Sequence, residues 1–321
     1  MLKVEKHLSW LFRNRRKSHY NSDYWHFKRA IDTNKENITY INNLLNSGNY
    51  FFEPATVINN SKTGEMLCIW GSQVSLVLKT LAEDIKSRYE NVFSKNCVSN
   101  KLNSGVKQAF SVVNKYIKTH KCIYRTDIKK FYNSINHNIL LQKLTKFSTF
   151  YEHKVIKTHL DRIEWRNGSY IEIKKGISKS SPLSPVLGCI YLHQLDLAMK
   201  NLGGVIYQRY TDDFIIMATT KHKLREAVKI VKQILQELKL EEHPDKTDYR
   251  NFNNPNAKPF EFLGVKISRK GVYAIRSSTE LNFLIKINQL YEYLLLIIKL
   301  KKMVRVDTRI EIEIIKKLLC K

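Results

Sequence analysis

The sequence predicts an α+β fold in which antiparallel hairpins are separated by helices, without the strict strand–helix alternation of a doubly wound parallel sheet. Three observations carry that expectation. YQRYTDDFIIM (207–217) sets two adjacent carboxylates, Asp212 and Asp213, between two runs that read as buried strand, so the chain must turn there. FEFLGVKISRKGVYAIR (260–276) alternates on either side of the turn signal Lys270-Gly271. Between Ser72 and Arg88, Val74, Val77, Leu78, Leu81 and Ile85 recur three and four apart, the spacing of one helix face.

The other elements follow in chain order. Residues 1–49 are basic and aromatic with helical spacing in places, and read as an N-terminal extension. Residues 50–70 read as two strands around the turn signal Lys62-Thr63-Gly64. KCIYRTDI (121–128) is a strand, KKFYNSINHNILLQKL (129–144) is helix-like, and GISKSSPLSP (176–185) is a loop. VLGCIYLHQLDLAMKNL (186–202) is a helix stopped by Gly203-Gly204. Residues 222–239 and 280–321 are helical, the latter also basic. No repeat and no low-complexity linker divides the chain.

Its 321 residues suffice for one large domain or two smaller ones. The balance of 55 basic against 29 acidic residues, +26 overall, is spread along the whole chain and predicts a polyanionic partner, because Lys and Arg displace the counterions condensed on phosphates. A merely solvated basic surface is the alternative. Cys68, Cys97, Cys122, Cys189 and Cys320 form no C-x-x-C and have no His at zinc spacing, so they read as buried apolar residues in a reducing compartment. The start lacks the apolar core of a signal peptide, and the apolar run 281–300 is broken by Lys286, Gln289 and Glu292. A cytoplasmic protein with no membrane span is therefore expected.

Asp127 follows its strand as the carboxylate pair follows another. If the three meet at neighbouring strand ends, they offer the hard oxygen ligands that Mg2+ takes together with substrate phosphates and water. Two such ions about 4 Å apart serve phosphoryl transfer, and in a basic chain nucleotidyl transfer is the economical reading. Surface-turn aspartates are the alternative.

The ordered set of motifs resembles the right-hand palm of reverse transcriptases. TDIKKFYNSI is similar to that family's first palm motif, GISKSSPLSP to its Gly-rich second motif, YTDD to its Y-x-D-D signature, HPDKT to the lysine motif after it, and FLGV to the hairpin near the primer. The similarity spans roughly residues 50–270. It implies a fold of fingers and palm, an antiparallel sheet flanked by helices, over 50–279, with a short helical thumb over 280–321. It also implies that Asp127 and Asp212 bind two Mg2+ ions (or Mn2+) with the Ile128 carbonyl, and that Asp213, the second member of the pair and closer to the primer end, completes the catalytic and metal-binding trio. Tyr132 would be the sugar gate that excludes a 2′-hydroxyl, an ordinary core tyrosine being the alternative. Lys246 and Lys62 would contact the triphosphate, and Phe262, Leu263 and Gly264 would shape the primer grip.

Two stretches depart from the pattern. Ser178-Lys179-Ser180 stands where the family has Pro-Gln-Gly, so Lys179 faces the nucleotide region as a cation instead of an amide. Glu65, Met66 and Gln73 occupy the fingers where an arginine is expected. These changes are similar to those of bacterial defence-associated, abortive-infection and retron-type reverse transcriptases. The leading expectation is thus an RNA-directed DNA polymerase with dNTP substrates, a DNA product and a cognate noncoding RNA, acting in antiphage defence. Template-independent or protein-templated synthesis by the same site, a non-catalytic RNA-binding palm and a group II intron-type enzyme are the alternatives, and a homo-oligomer or an accessory defence protein is left open. The basic, ring-rich stretch WLFRNRRKSHYNSDYWHFKR suits RNA or, alternatively, a helix docking its rings on the palm.

Overall fold

A computed structural model describes residues 1–16, 23–59, 64, 66–100 and 105–303. The chain divides into two compact units, Met1–Ala257 and Lys258–Lys321.

The first unit begins with α1 (Leu8–Arg15), α2 (Tyr24–Thr33) and α3 (Glu36–Asn46), then β1 (Ala55–Asn59), β2 (Met66–Ile69), α4 (Ser72–Arg88) and α5 (Gly105–Tyr116). Next come β3 (Cys122–Thr126), α6 (Phe131–Ser134), α7 (His137–Leu144), α8 (Phe150–Leu160), β4 (Ile163–Arg166) and β5 (Ser169–Glu172). It closes with α9 (Ser184–Asn201), β6 (Val205–Tyr210), β7 (Asp213–Ala218), α10 (Lys221–Glu237) and β8 (Asp248–Asn251).

Burial of the apolar stripe explains α4, whose Val77, Leu78, Leu81 and Ile85 are fully enclosed. The N-terminal rings divide their roles: Tyr24 is buried and Trp10 lies half-buried against the core, with Lys79 over its ring, whereas Trp25 is exposed. Arg15 of α1 reaches the Trp70 carbonyl and the Ser75 hydroxyl. The helix-like stretch 129–144 is two helices, α6 and α7, because Ile135 adopts extended backbone (ψ 122°) and Asn136 caps α7 through its side chain. A capping box starts α8, where Thr149 and Glu152 exchange bonds while Glu152 also receives Arg88 at 2.6 and 2.7 Å.

One four-stranded sheet runs β2-β1-β4-β5. Here the sequence reading needs correction in two respects. Residues 163–172 form an unforeseen hairpin at Asn167-Gly168, both in the left-handed region (φ 48° and 84°), and β4 joins β1 in parallel. The second sheet, β6-β7-β3-β8, is antiparallel throughout. Its strand alternation sends Tyr124, Tyr207, Phe214 and Ile216 into the core that includes α9 and α10, and turns Ile123, Ile215 and Met217 to the opposite face. α5 packs on β6. The four described cysteines, Cys68, Cys97, Cys122 and Cys189, are free and buried.

The second unit is a three-stranded meander, β9 (Phe260–Phe262), β10 (Val265–Ser268) and β11 (Gly271–Ile275), followed by α11 (Ser277–Met303). The sequence reading has one hairpin here; an additional turn at Leu263-Gly264, again with two positive φ angles (47° and 83°), splits it. No helix among the described residues is long and apolar enough to cross a membrane.

Candidate active site

The ladder between β3 and β7 pairs Cys122 with Ala218 through to Thr126 with Phe214. Continued by one residue, that register brings Asp127 abreast of Asp213, at the mouth of the β6–β7 turn that carries Asp212. Two strands distant in sequence thus deliver their carboxylates to one sheet end. Asp127 is fastened from behind: its carbonyl accepts the His243 amide at 2.8 Å, the Lys129 amide reaches the Glu241 carbonyl at 2.9 Å, and Ile128, fully buried, bridges Glu242.

Asp212 is the electrostatic focus. Burial and the nearby Asp127 carboxylate, with a smaller push from Asp213, raise its pKa from 3.8 to about 6, against the pull of Lys246. Lys246 places its Nζ 2.9 Å from Asp127 Oδ2, so its place here is on the carboxylate. Asp213 turns to a different partner. Arg125 lies on the same sheet face and donates from Nε and one terminal nitrogen to its two oxygens at 3.0 and 2.9 Å. Among the described residues no three His, Cys, Asp or Glu side chains are grouped as metal ligands. Asp212 thus feels both neighbouring carboxylates, Asp127 more strongly and Asp213 less, while Arg125 grips Asp213.

The turn itself is strained. Thr211, β-branched, has φ 57°, a conformation that costs on the order of 1–3 kcal/mol and needs external support. Arg209 supplies it: its Nη1 donates to the Thr211 carbonyl at 2.7 Å. This guanidinium has no solvent exposure, and Asp196 of α9, 2% exposed, closes its other side with Nε at 2.8 Å and a second short contact. The Tyr207 hydroxyl completes the group by donating to Asp196 Oδ1 at 3.0 Å.

Arg125, Arg209 and Asp196 were not foreseen as site residues. Their signal is present in the sequence nonetheless, since each is a charge inside a run that otherwise reads as buried, and buried charges are normally paired.

Tyr132 lies half-buried near Asp212, its hydroxyl pKa pushed up by burial and the neighbouring Cys189 and Asp212 groups. A Cβ on Gly188 of α9 would meet its ring at 3.2 Å, so the missing side chain admits the ring. The loop 176–185 is stitched beneath this tyrosine. Gly176, at φ 85°, donates to the Ile135 carbonyl at 2.8 Å, and the Ile177 amide donates to the Tyr132 carbonyl at 2.8 Å. Lys179 is exposed on that loop, while Ser180 donates to the Cys68 carbonyl of β2 at 2.5 Å. The hydroxyl thus ties the loop to the first sheet. Lys62 lies outside the described residues. Phe262 is fully buried in the second unit, where Leu263 and Gly264 form its first turn.

A sequence profile described as "Reverse transcriptase (RNA-dependent DNA polymerase)" matches residues 69–267, more than half of the chain. No curated protein sequence matches. Among solved structures, the fold is similar to telomerase from Candida albicans in complex with a fragment of telomeric RNA (TM-score 0.55, 12% identity, 71% of this chain and 46% of that one). It is also similar to apo telomerase from Candida tropicalis truncated from its C-terminal domain (TM-score 0.54, 14% identity, 70% and 55%). The chain matches about half the length of these structures. At such identity the likeness establishes the fold, an α+β fingers and palm.

Proposed function

The chain belongs to the reverse transcriptase family, and from that premise we propose that it is an RNA-directed DNA polymerase that joins dNTPs at the Asp127–Asp212 pair. One observation carries the reading: burial and then the Asp127 carboxylate push the Asp212 carboxyl up to about 6 even with Lys246 alongside, so the two carboxylates hold more negative charge than one lysine offsets, which a divalent cation relieves. The donor set fits Mg2+, which takes hard oxygens from one or two carboxylates and completes its shell with phosphates and water. Asp127, Asp212 and the Ile128 carbonyl would hold it, with Mn2+ a substitute. Held there, such a cation would supply Lewis-acid activation of the primer hydroxyl and charge stabilisation for the departing pyrophosphate.

The protein's own groups do the rest. Lys246, released from Asp127, neutralises or protonates the leaving group. Arg125 holds Asp213, which becomes a supporting catalytic group that fixes the β7 end of the turn. Tyr132, seated on Gly188, packs where a 2′-hydroxyl would stand and selects deoxynucleotides. Lys179 and Lys62 add cations for the triphosphate. The basic surface tracks an RNA template and the DNA product. The altered 178–180 motif supports placing the chain with defence-associated relatives that copy a cognate noncoding RNA.

A second reading, template-independent synthesis by the same carboxylates, is favoured by Ser180, whose bond to Cys68 fills the template-side loop where close backbone approach is otherwise needed. Purified protein supplied with dNTPs, Mg2+ and defined RNA templates tests both. Template-complementary DNA that disappears in Asp127→Asn and Asp212→Asn supports the polymerase. RNase-insensitive product of one fixed composition defeats the templated form, and full synthesis by both variants defeats the site.

A further inference from the structure

α10 lies over β7, β3 and β6, and the edge strand β8 extends beyond that cover. Between α10 and β8 runs a groove of about 550 Å³. Its floor is apolar, formed by Leu224, Val228 and Cys122. Along one rim stand Lys221, Arg225, Lys229 and Lys232, all exposed and spaced four, four and three residues apart. They make one stripe roughly 16 Å long. Among the described residues none of the four forms an ion pair, whereas neighbouring Lys223 and Arg250 are bonded to Glu226 and Asp248. The facing wall offers Tyr249, whose ring packs on Tyr124 at 4.9 Å yet keeps 51% of its surface open. The groove meets β3 at Cys122, the end away from Asp127, roughly 16 Å along the strand.

We infer that this groove binds single-stranded nucleic acid, phosphates along the α10 stripe and a base on Tyr249. Charge complementarity selects a polyanion, because four cations without acidic partners line one rim. The apolar floor and open ring favour a strand with unpaired bases, since a duplex hides its base faces and the charged side chains of an acidic peptide carry no ring, whereas every nucleotide pairs a phosphate with a base that can stack. The site stands apart from the carboxylate pair and does not require catalysis there. A strand held here would lead into or away from the palm at the far end of its central strand.

Binding of labelled oligouridylate and oligothymidylate to the full chain, followed by fluorescence anisotropy over a salt series, tests this. The triple charge reversal Lys221→Glu/Arg225→Glu/Lys229→Glu should weaken binding and reduce the slope of log K against log salt by about 2, roughly 0.7 per lost phosphate contact. Tyr249→Ala should cost about tenfold or more while Tyr249→Phe binds as the parent. RNA and DNA arms show which strand is preferred. An unchanged slope in the triple reversal overturns the inference, as does an equal loss when Lys3, Lys6 and Lys35 are reversed instead, which would assign the effect to net charge. Parental nucleic-acid affinity with weakened oligoglutamate binding would give the groove to an acidic protein and equally overturn it. Should the reversal variant fail to fold, photocrosslinking of thiouridine RNA to the parent decides: adducts on 221–232 or 249–251 are expected, and their absence refutes the site.

Discussion

Arg209 performs two tasks that substitution can separate. Its guanidinium satisfies buried Asp196, and its Nη1 supports the strained Thr211 carbonyl at 2.7 Å. Arg209→Met leaves the Asp196 carboxylate buried without its cation, which costs about 3–5 kcal/mol and lowers Tm by roughly 5–10 °C. Arg209→Met/Asp196→Leu/Tyr207→Phe removes the charge pair together with the hydroxyl that depends on it. Stability should then return to within about 2 kcal/mol of the parent. Catalysis should not return with it, because Thr211 keeps its left-handed conformation and lacks its donor. A charge-assisted bond of about 1.5–3 kcal/mol corresponds to a roughly 10- to 150-fold fall in kcat, with little change in KM for dNTP. Thermal melts and single-nucleotide extension kinetics on the same preparations read both quantities. A triple variant with parental Tm and parental kcat would show that the turn holds itself, and the brace would be refuted.

Three further outcomes are expected. The Asp212 carboxyl, raised to about 6, contributes stability as the neutral acid that is complete below about 3.8 and lost as pH rises through about 6. Asp212→Asn should therefore stabilise the metal-free protein near neutral pH by up to about 3 kcal/mol, the gain vanishing near pH 4 in pH-dependent melts, and an equal gain at pH 4 and pH 7 would refute the raised carboxyl. Tyr132→Ala should incorporate ribonucleotides beside deoxynucleotides in competition assays, and undiminished discrimination would remove the gate from the tyrosine. Gly176→Ala forces a Cβ to 2.9 Å from the Asn133 carbonyl at φ 85°; a loss of at least about 2 kcal/mol is expected by denaturant unfolding, against a few tenths at the open Gly203.

The pattern of residues was legible wherever period and punctuation agree. Helix α4 matches its apolar spacing, and the β6–β7 turn falls where two carboxylates interrupt a strand reading. The hairpin at 163–172 escaped because only its turn residues, Asn167-Gly168, carry a strong signal; its strands are largely exposed and lack the continuous burial that marks β6 and β7. The split of 129–144 into α6 and α7 rests on one extended residue and an Asn cap, signals too local to override a helix-like run.

Composition and motif order by themselves determined the α+β class, the expectation of a polyanionic partner and the grouping of Asp127 with Asp212, because backbone periodicity and net charge are local or additive properties. Which group each carboxylate meets is neither. Only the register of β3 against β7 put Arg125 on Asp213 and left Asp127 and Asp212 to repel each other, with Lys246 alongside. Only the packing of α9 under β6 gave Arg209 its counterion and the Thr211 carbonyl its donor. Charges find partners across the fold, at separations in sequence that no local pattern encodes.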